Sequence, residues 1–283
     1  MLLPRVLTAL VMAPVFLWVL YLGSLPFFVF MFLLILLALW EFHQIADEGG
    51  YATQGWWGIA AGAAVALSLV IPGVRPGVAF AAQAPAFTVM TAMLVLVVRE
   101  MARKEKGLAI LRLAMSLTGI LLIVWPLGYF ALLRDLRGSN AALMNGGAWA
   151  ALFLVVLIWT QDSAAYGVGL ALGKHRMAPA ISPKKSWEGA AGGWAAGILI
   201  SLALRELFMK DLFGRWEIVV LAAVLGGLAQ VSDLMESLLK RCFGVKDSSA
   251  LLPGHGGVLD RFDSFLLTSP FLYFYMISVG KVG

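Results

Sequence analysis

Charge is what this chain has least of. Only 13% of its 283 residues are Asp, Glu, Lys or Arg, while 61% are hydrophobic and the mean hydropathy is +0.90. Water-soluble domains carry about a quarter charged residues, so an ordinary soluble fold is excluded. Cysteine is nearly missing as well. Cys242 stands alone, which rules out an intrachain disulfide and a cysteine-rich metal centre. The chain has no Walker-type G-x-x-x-x-G-K-[ST], no H-E-x-x-H zinc motif and no G-x-S-x-G nucleophile elbow. Nor does it have an internal repeat, a low-complexity tract, or a basic domain that reads nucleic acid, so nucleic acid is not an expected partner.

What it does have is a series of long apolar runs. In lipid each run must satisfy its own backbone hydrogen bonds, which dictates helices. The predicted fold class is all-α: a polytopic integral membrane protein of about nine transmembrane helices with a cytoplasm-facing polar cleft. The spans fall at roughly 6–22, 25–40, 56–71, 78–98, 113–133, 148–172, 189–209, 216–241 and 258–279. Residues 1–283 are expected to form one membrane domain, with N-terminal spans over 1–147 and catalytic spans and loops over 148–283. The first apolar run has no small-residue cleavage site behind it and leads into another span, so it is expected to stay as a helix. Gly119, Pro126, Gly192, Gly193 and Gly197 suit close helix packing in lipid.

The few charges are unevenly placed. With these spans, two thirds of the 21 Lys and Arg residues fall on one side, in the 99–112, 173–188 and 240–261 loops together with Arg5. By the positive-inside rule that side is cytoplasmic, and the expected location is the cytoplasmic (inner) membrane. The net charge of +5 favours anionic lipid headgroups.

The densest charge lies between Ser237 and Ser264, where Lys240, Arg241, Lys246, Asp247, His255, Asp260, Arg261 and Asp263 share one short stretch. Topology needs Lys and Arg, but it has no use for His-Gly-Gly or paired aspartates. Just upstream, Gln230, Asp233, Ser237 and Lys240 recur at helical spacings of three, four and three, a stripe on one face. Asp233 lies two turns deeper than Lys240, where a carboxylate facing lipid costs about 2.5–3.5 kcal/mol. A polar cleft or a cation is the better environment. Asp162, in the segment W-T-Q-D-S-A-A-Y with Tyr166 one turn on, poses the same problem. Asp260 and Asp263 share a helical face at the start of the last span. Hard divalent cations prefer carboxylate oxygens with phosphate and water, so Asp162, Asp233, Asp260 and Asp263 are candidate metal ligands. The plainer reading of Asp260 is that it pairs with Arg261 or caps a helix.

The 173–188 loop adds Ser182, Lys184 and Lys185 just before a helix that opens at Ser186, where free amides and cations together suit an anion. Lysine pairs at membrane edges are also ordinary topology signals. In Pro253-Gly-His-Gly-Gly257, Gly256 and Gly257 would let backbone amides approach phosphate.

The run S-L-L-K-R-C-F-G-V-K-D-S-S-A-L-L-P-G-H-G-G-V-L-D-R-F-D (237–263) resembles the motif of the phosphatidate cytidylyltransferases, the CDP-diacylglycerol synthases. W-T-Q-D-S-A-A-Y (159–166), G-K-H-R-M-A-P-A-I-S-P-K-K-S-W-E-G (173–189) and Q-V-S-D-L-M-E-S (230–237) are similar to the same family. The resemblance covers about the C-terminal 40% of the chain; earlier residues match as generic spans. Ser232 departs from the family pattern, which carries glycine before the aspartate.

The resemblance implies transfer of a cytidylyl group from CTP to phosphatidate, giving CDP-diacylglycerol and pyrophosphate, with Mg²⁺ as cofactor and a second cation left open. Substrates and bilayer are the implied partners; a homodimer is one permitted assembly. Asp233 and Asp260 would be the principal metal ligands, with Asp162 and Asp263 supporting. Lys240, Arg241, Lys246, Asp247 and His255 complete the implied catalytic set. His255 is expected to donate a hydrogen bond to phosphate. Ser182, Lys184, Lys185, Ser237, Gly256, Gly257 and Arg261 are expected to bind substrate.

Three other classes stand beside this reading. A secondary transporter would keep intramembrane carboxylates near midplane in repeat-related broken helices, and no such repeat is present. A CDP-alcohol phosphotransferase should carry D-G-x-x-A-R, which is absent. A non-catalytic scaffold would have no need of a carboxylate–lysine constellation.

Overall fold

The computed structural model describes residues 3–74, 83–137, 145–251 and 256–280. Helices account for nearly all of its regular structure: α1 (Leu3–Leu22), α2 (Ser24–Glu48), α3 (Trp56–Val74), α4 (Ala84–Ala102), α5 (Ala109–Gly119), α6 (Trp125–Asp135), α7 (Gly146–Leu172), α8 (Trp187–Phe208), α9 (Arg215–Cys242), α10 (Leu259–Phe262) and α11 (Phe265–Ser278). Six helical segments are long and apolar enough to cross a membrane. Three shorter apolar helices, Leu10–Leu22, Trp56–Leu69 and Phe265–Ser278, accompany them. The protein is therefore an all-α polytopic membrane protein. A π-helical turn, Ile120–Val124, joins α5 to α6 immediately before Pro126, where the missing proline N–H already interrupts the α-helical ladder.

The chain forms two compact units, Met1–Leu132 with Leu239–Phe262, and Leu133–Leu238 with Asp263–Gly283. The stretch 239–262 thus groups with the N-terminal helices.

In the first unit α2 is the central helix. Phe27, Met31, Ile35, Ala38, Leu39, Phe42, Ile45 and Ala46 are buried along one stripe, whereas Leu25, Val29, Leu33, Leu37 and Trp40 are exposed on another. Both stripes are apolar, as expected where lipid rather than water covers the outer face. The end of α9 is anchored here by Phe243, whose ring meets Phe42 and Tyr51 edge-on at 5.7 and 5.3 Å.

In the second unit α7 packs along α8 through small residues four apart. A Cβ on Gly189, Gly193 or Gly197 would come within 2.8 Å of Ala165 O, 2.6 Å of Gln161 O and 2.9 Å of Leu157 Cδ1. Close backbone approach of this kind is how helices associate in lipid. The segment read as an irregular loop at 173–188 contains a hairpin, β1 (Arg176–Ala178) antiparallel to β2 (Ser182–Ser186). Ser186 ends β2 and caps α8, its Oγ accepting from Gly189 N at 3.2 Å.

Candidate active site

The chemistry-bearing residues gather in two polar centres, one within each unit. The first is built where α9 ends. Gly244 has φ +76, and Val245 N returns to Lys240 O at 2.9 Å, so the helix stops in a tight turn and the chain leaves toward Ser248. Lys240, in the last turn of α9, places Nζ 2.5 Å from Asp260 Oδ1. The other oxygen, Oδ2, accepts from Ser248 N at 2.9 Å, Ser248 Oγ at 3.0 Å and Gly257 N at 2.8 Å. Burial opposes ionisation of Asp260, but Lys240 and the Gly257 and Ser248 amides outweigh it and hold the carboxyl below the usual aspartate range.

A residue absent from the sequence reading completes this centre. Glu41 of α2 is fully buried. Its Oε1 accepts from Ser249 Oγ at 2.6 Å and Val258 N at 2.9 Å, and its Oε2 from Ser248 Oγ and Leu259 N, both at 2.9 Å. The two glycines fit this crowding. Gly256 has φ +79, and a Cβ on it would meet Asp260 Oδ2 at 2.6 Å; one on Gly257 would overlap Ser248 Oγ and Glu41 Oε2. In this structure the Gly257 amide serves Asp260, so the glycines accommodate the chain's own carboxylates. The only signal for Glu41 in the sequence is that it is the first charge after Arg5.

The second centre belongs to α7, β2, α9 and Asp263, between α10 and α11. Lys185 Nζ lies 2.5 Å from Asp233 Oδ2, and Ser237 Oγ is 3.5 Å from the other oxygen of Asp233. Asp263 interacts electrostatically with the carboxylates of Asp233, Glu236 and Asp162. Burial first, and then Asp233, Glu236 and Asp162, push its carboxyl well above the usual range. Ser232 Oγ donates to Asp263 O and accepts from Leu267 N at 3.3 Å, so the residue that departs from the family pattern ties α9 to the start of α11. The buried amide of Gln161 donates to Gly226 O at 2.8 Å, and Trp194 Nε1 donates to Ala223 O at 2.7 Å, both onto α9.

The donors at this second centre are all carboxylate oxygens, the chemistry a hard divalent cation prefers, and the repulsion around Asp263 is what such a cation relieves. The residues fit the ion in kind. Among the described residues no three carboxylate, His or Cys side chains are close enough to form a ready-made metal cage.

The other sequence candidates are placed as follows. Arg241 is exposed and donates to Val245 O at 3.1 Å. Lys246, Asp247 and Arg261 are exposed, and Asp247 lines a groove with Trp40, Gln44 and Glu48. Lys184 is exposed on the hairpin, its carbonyl held by Arg176 Nη1 at 3.1 Å, and Ser182 is half-buried at the start of β2. His255 lies outside the described residues.

Both polar centres thus lie in a polytopic helical membrane protein. The profile of the Cytidylyltransferase family matches residues 3–279, and the chain belongs to that family. Among curated proteins it is similar to a phosphatidate cytidylyltransferase of Brucella suis, 44% identical over 52% of this chain and 53% of that one. It is also similar to phosphatidate cytidylyltransferases of Bacillus subtilis, 47% identical over 44% of this chain and 46% of that one, and Staphylococcus saprophyticus, 41% identical over 45% and 49%. The chain spans about half the length of the curated relatives it matches.

Proposed function

We propose that this chain is a phosphatidate cytidylyltransferase, converting CTP and phosphatidate to CDP-diacylglycerol and pyrophosphate. The observation that carries this reading is the second centre: several carboxylates facing Asp263 with Lys185 against Asp233, in a member of the Cytidylyltransferase family. In the reaction a phosphate oxygen of phosphatidate forms a bond to the α-phosphorus of CTP while the α–β phosphoanhydride bond breaks and pyrophosphate leaves. The nucleophile is already anionic, so no activated serine or cysteine is required. The barrier lies in bringing two polyanions together and stabilising charge on the α-phosphate and leaving group.

Asp233 and Asp263, with Asp162, would hold Mg²⁺. The bound ion would offset phosphate charge as a Lewis acid. Lys185 and Lys184 supply cations to the triphosphate, aided by the hydroxyls of Ser182 and Ser237. Lys240, Arg241, Lys246 and Arg261 supply them to the lipid phosphate. His255 donates a hydrogen bond to phosphate. The active site faces the cytoplasm, at the inner membrane.

The test is an assay of purified protein in detergent with labelled CTP, phosphatidate and Mg²⁺, following labelled lipid. Mg²⁺-dependent CDP-lipid supports the reading. Failure to form it, or ion flux in proteoliposomes without CTP, overturns it.

A further inference from the structure

Glu41 is distant in sequence from every catalytic candidate, yet the order of the first centre passes through it. Each of its oxygens takes one serine hydroxyl and one backbone amide: Ser249 Oγ and Val258 N on Oε1, Ser248 Oγ and Leu259 N on Oε2. Val258 and Leu259 are themselves buried, so their amides have no water to turn to. Ser248 then passes the connection on. Its N–H lies on Asp260 Oδ2, its single hydroxyl proton is shared between that oxygen and Glu41 Oε2, and Asp260 Oδ1 holds Lys240 Nζ.

We propose that Glu41 is the positioning residue of this centre, fixing Ser248 and the start of α10 so that Asp260 and Lys240 stand in reactive geometry. This rests on the transferase reading above. Glu41 touches no reacting atom; it acts through Ser248, Val258 and Leu259.

The chemistry of the four donors makes the inference sharp. A serine hydroxyl can rotate and accept instead, but a backbone N–H cannot. In Glu41→Gln, either orientation of the amide sets its NH₂ against the N–H of Val258 or of Leu259. The nearly isosteric change therefore breaks the clamp. Ser248→Ala removes the hydroxyl shared by the two carboxylates while keeping every backbone donor.

The experiment compares wild type, Glu41→Gln and Ser248→Ala, purified in detergent, by turnover, amide hydrogen exchange over 257–259, and melting temperature. For Glu41→Gln, kcat is expected to fall at least tenfold with KM for CTP within threefold, and exchange at Val258 and Leu259 to quicken at least tenfold. Ser248→Ala should lose turnover in the same direction with at most a modest drop in melting temperature. A kcat within threefold of wild type in Glu41→Gln, or unchanged exchange at those amides, overturns the proposal. If Glu41→Gln does not fold, undiminished turnover in Ser248→Ala overturns it. Exchange needs neither CTP nor lipid, so a wild-type chain making no CDP-lipid would sink the transferase reading while the clamp is still judged by exchange.

Discussion

Lys240 Nζ and Asp260 Oδ1 stand 2.5 Å apart with only 11% and 5% of their side-chain surfaces exposed, whereas Lys185 and Asp233 meet at the same distance with 22% and 25% exposed. Equal length does not mean equal energy. Water reaches the second pair more than the first and screens it somewhat more.

Removing Asp260 should therefore cost stability as well as turnover. Breaking one side of a buried pair costs about 3–5 kcal/mol, because the remaining charge stays buried. Asp260→Ala is expected to lower the melting temperature in detergent and abolish CDP-lipid formation. Asp260→Ala with Lys240→Met should recover part of the melting temperature and none of the turnover. The pH dependence has a definite sign. The carboxyl is held below its ordinary range, so its contribution is complete through neutral pH and lost only as pH falls through the lowered value.

Asp233→Asn should behave differently. The pair is only partly exposed, so the melting temperature should fall, but by less than in Asp260→Ala. Turnover should fall more than a hundredfold, with no rescue by raised Mg²⁺. Near-normal turnover would remove Asp233 from the proposed cation site. Lys185→Ala is expected to raise KM for CTP, read from initial rates.

Gly193→Leu tests the packing of α7 on α8. Gln161 O lies where the new Cβ must go, and overpacking costs about 1–3 kcal/mol. A lower melting temperature is the expected outcome. Turnover per folded molecule should fall as well, since Gln161 precedes Asp162.

Ser232→Gly restores the residue of the family pattern. It removes the hydroxyl that reaches Asp263 O and Leu267 N, and each such bond contributes about 1 kcal/mol. The expected result is a modest drop in melting temperature with turnover within threefold of wild type. A hundredfold loss would show that Ser232 has a role in turnover that these two bonds do not explain.

The helices were legible in the sequence because length and apolarity are all a span requires. Ser186 was legible as a helix start, and Gly193 and Gly197 as packing positions, for local reasons of the same sort. The hairpin at 176–186 was not. Its strands are three and five residues long, one contains Pro183, and neither alternates. Asp162 and Asp233 stood out because a charge at membrane depth demands explanation. Glu41 did not, since a charge near the end of a span looks interfacial, and its first serine partner is 207 residues away. The glycines at 256 and 257 suggested room for phosphate, but sequence could not reveal that Asp260 and Glu41 already occupy the space beside them.

That separation bears on how the protein is made. At ribosomal rates of about 5–20 residues per second, the serine that meets Glu41 leaves the tunnel roughly 10–40 s after it. Through that interval the second helix must sit in the bilayer with a carboxylate whose future donors have not been synthesised. Water at the membrane surface has to serve in their place, and the late arrival of residues 248–259 expels it. Assembly of the first centre is thus among the last events of biogenesis, and a nascent chain stalled before it would be inserted yet inert.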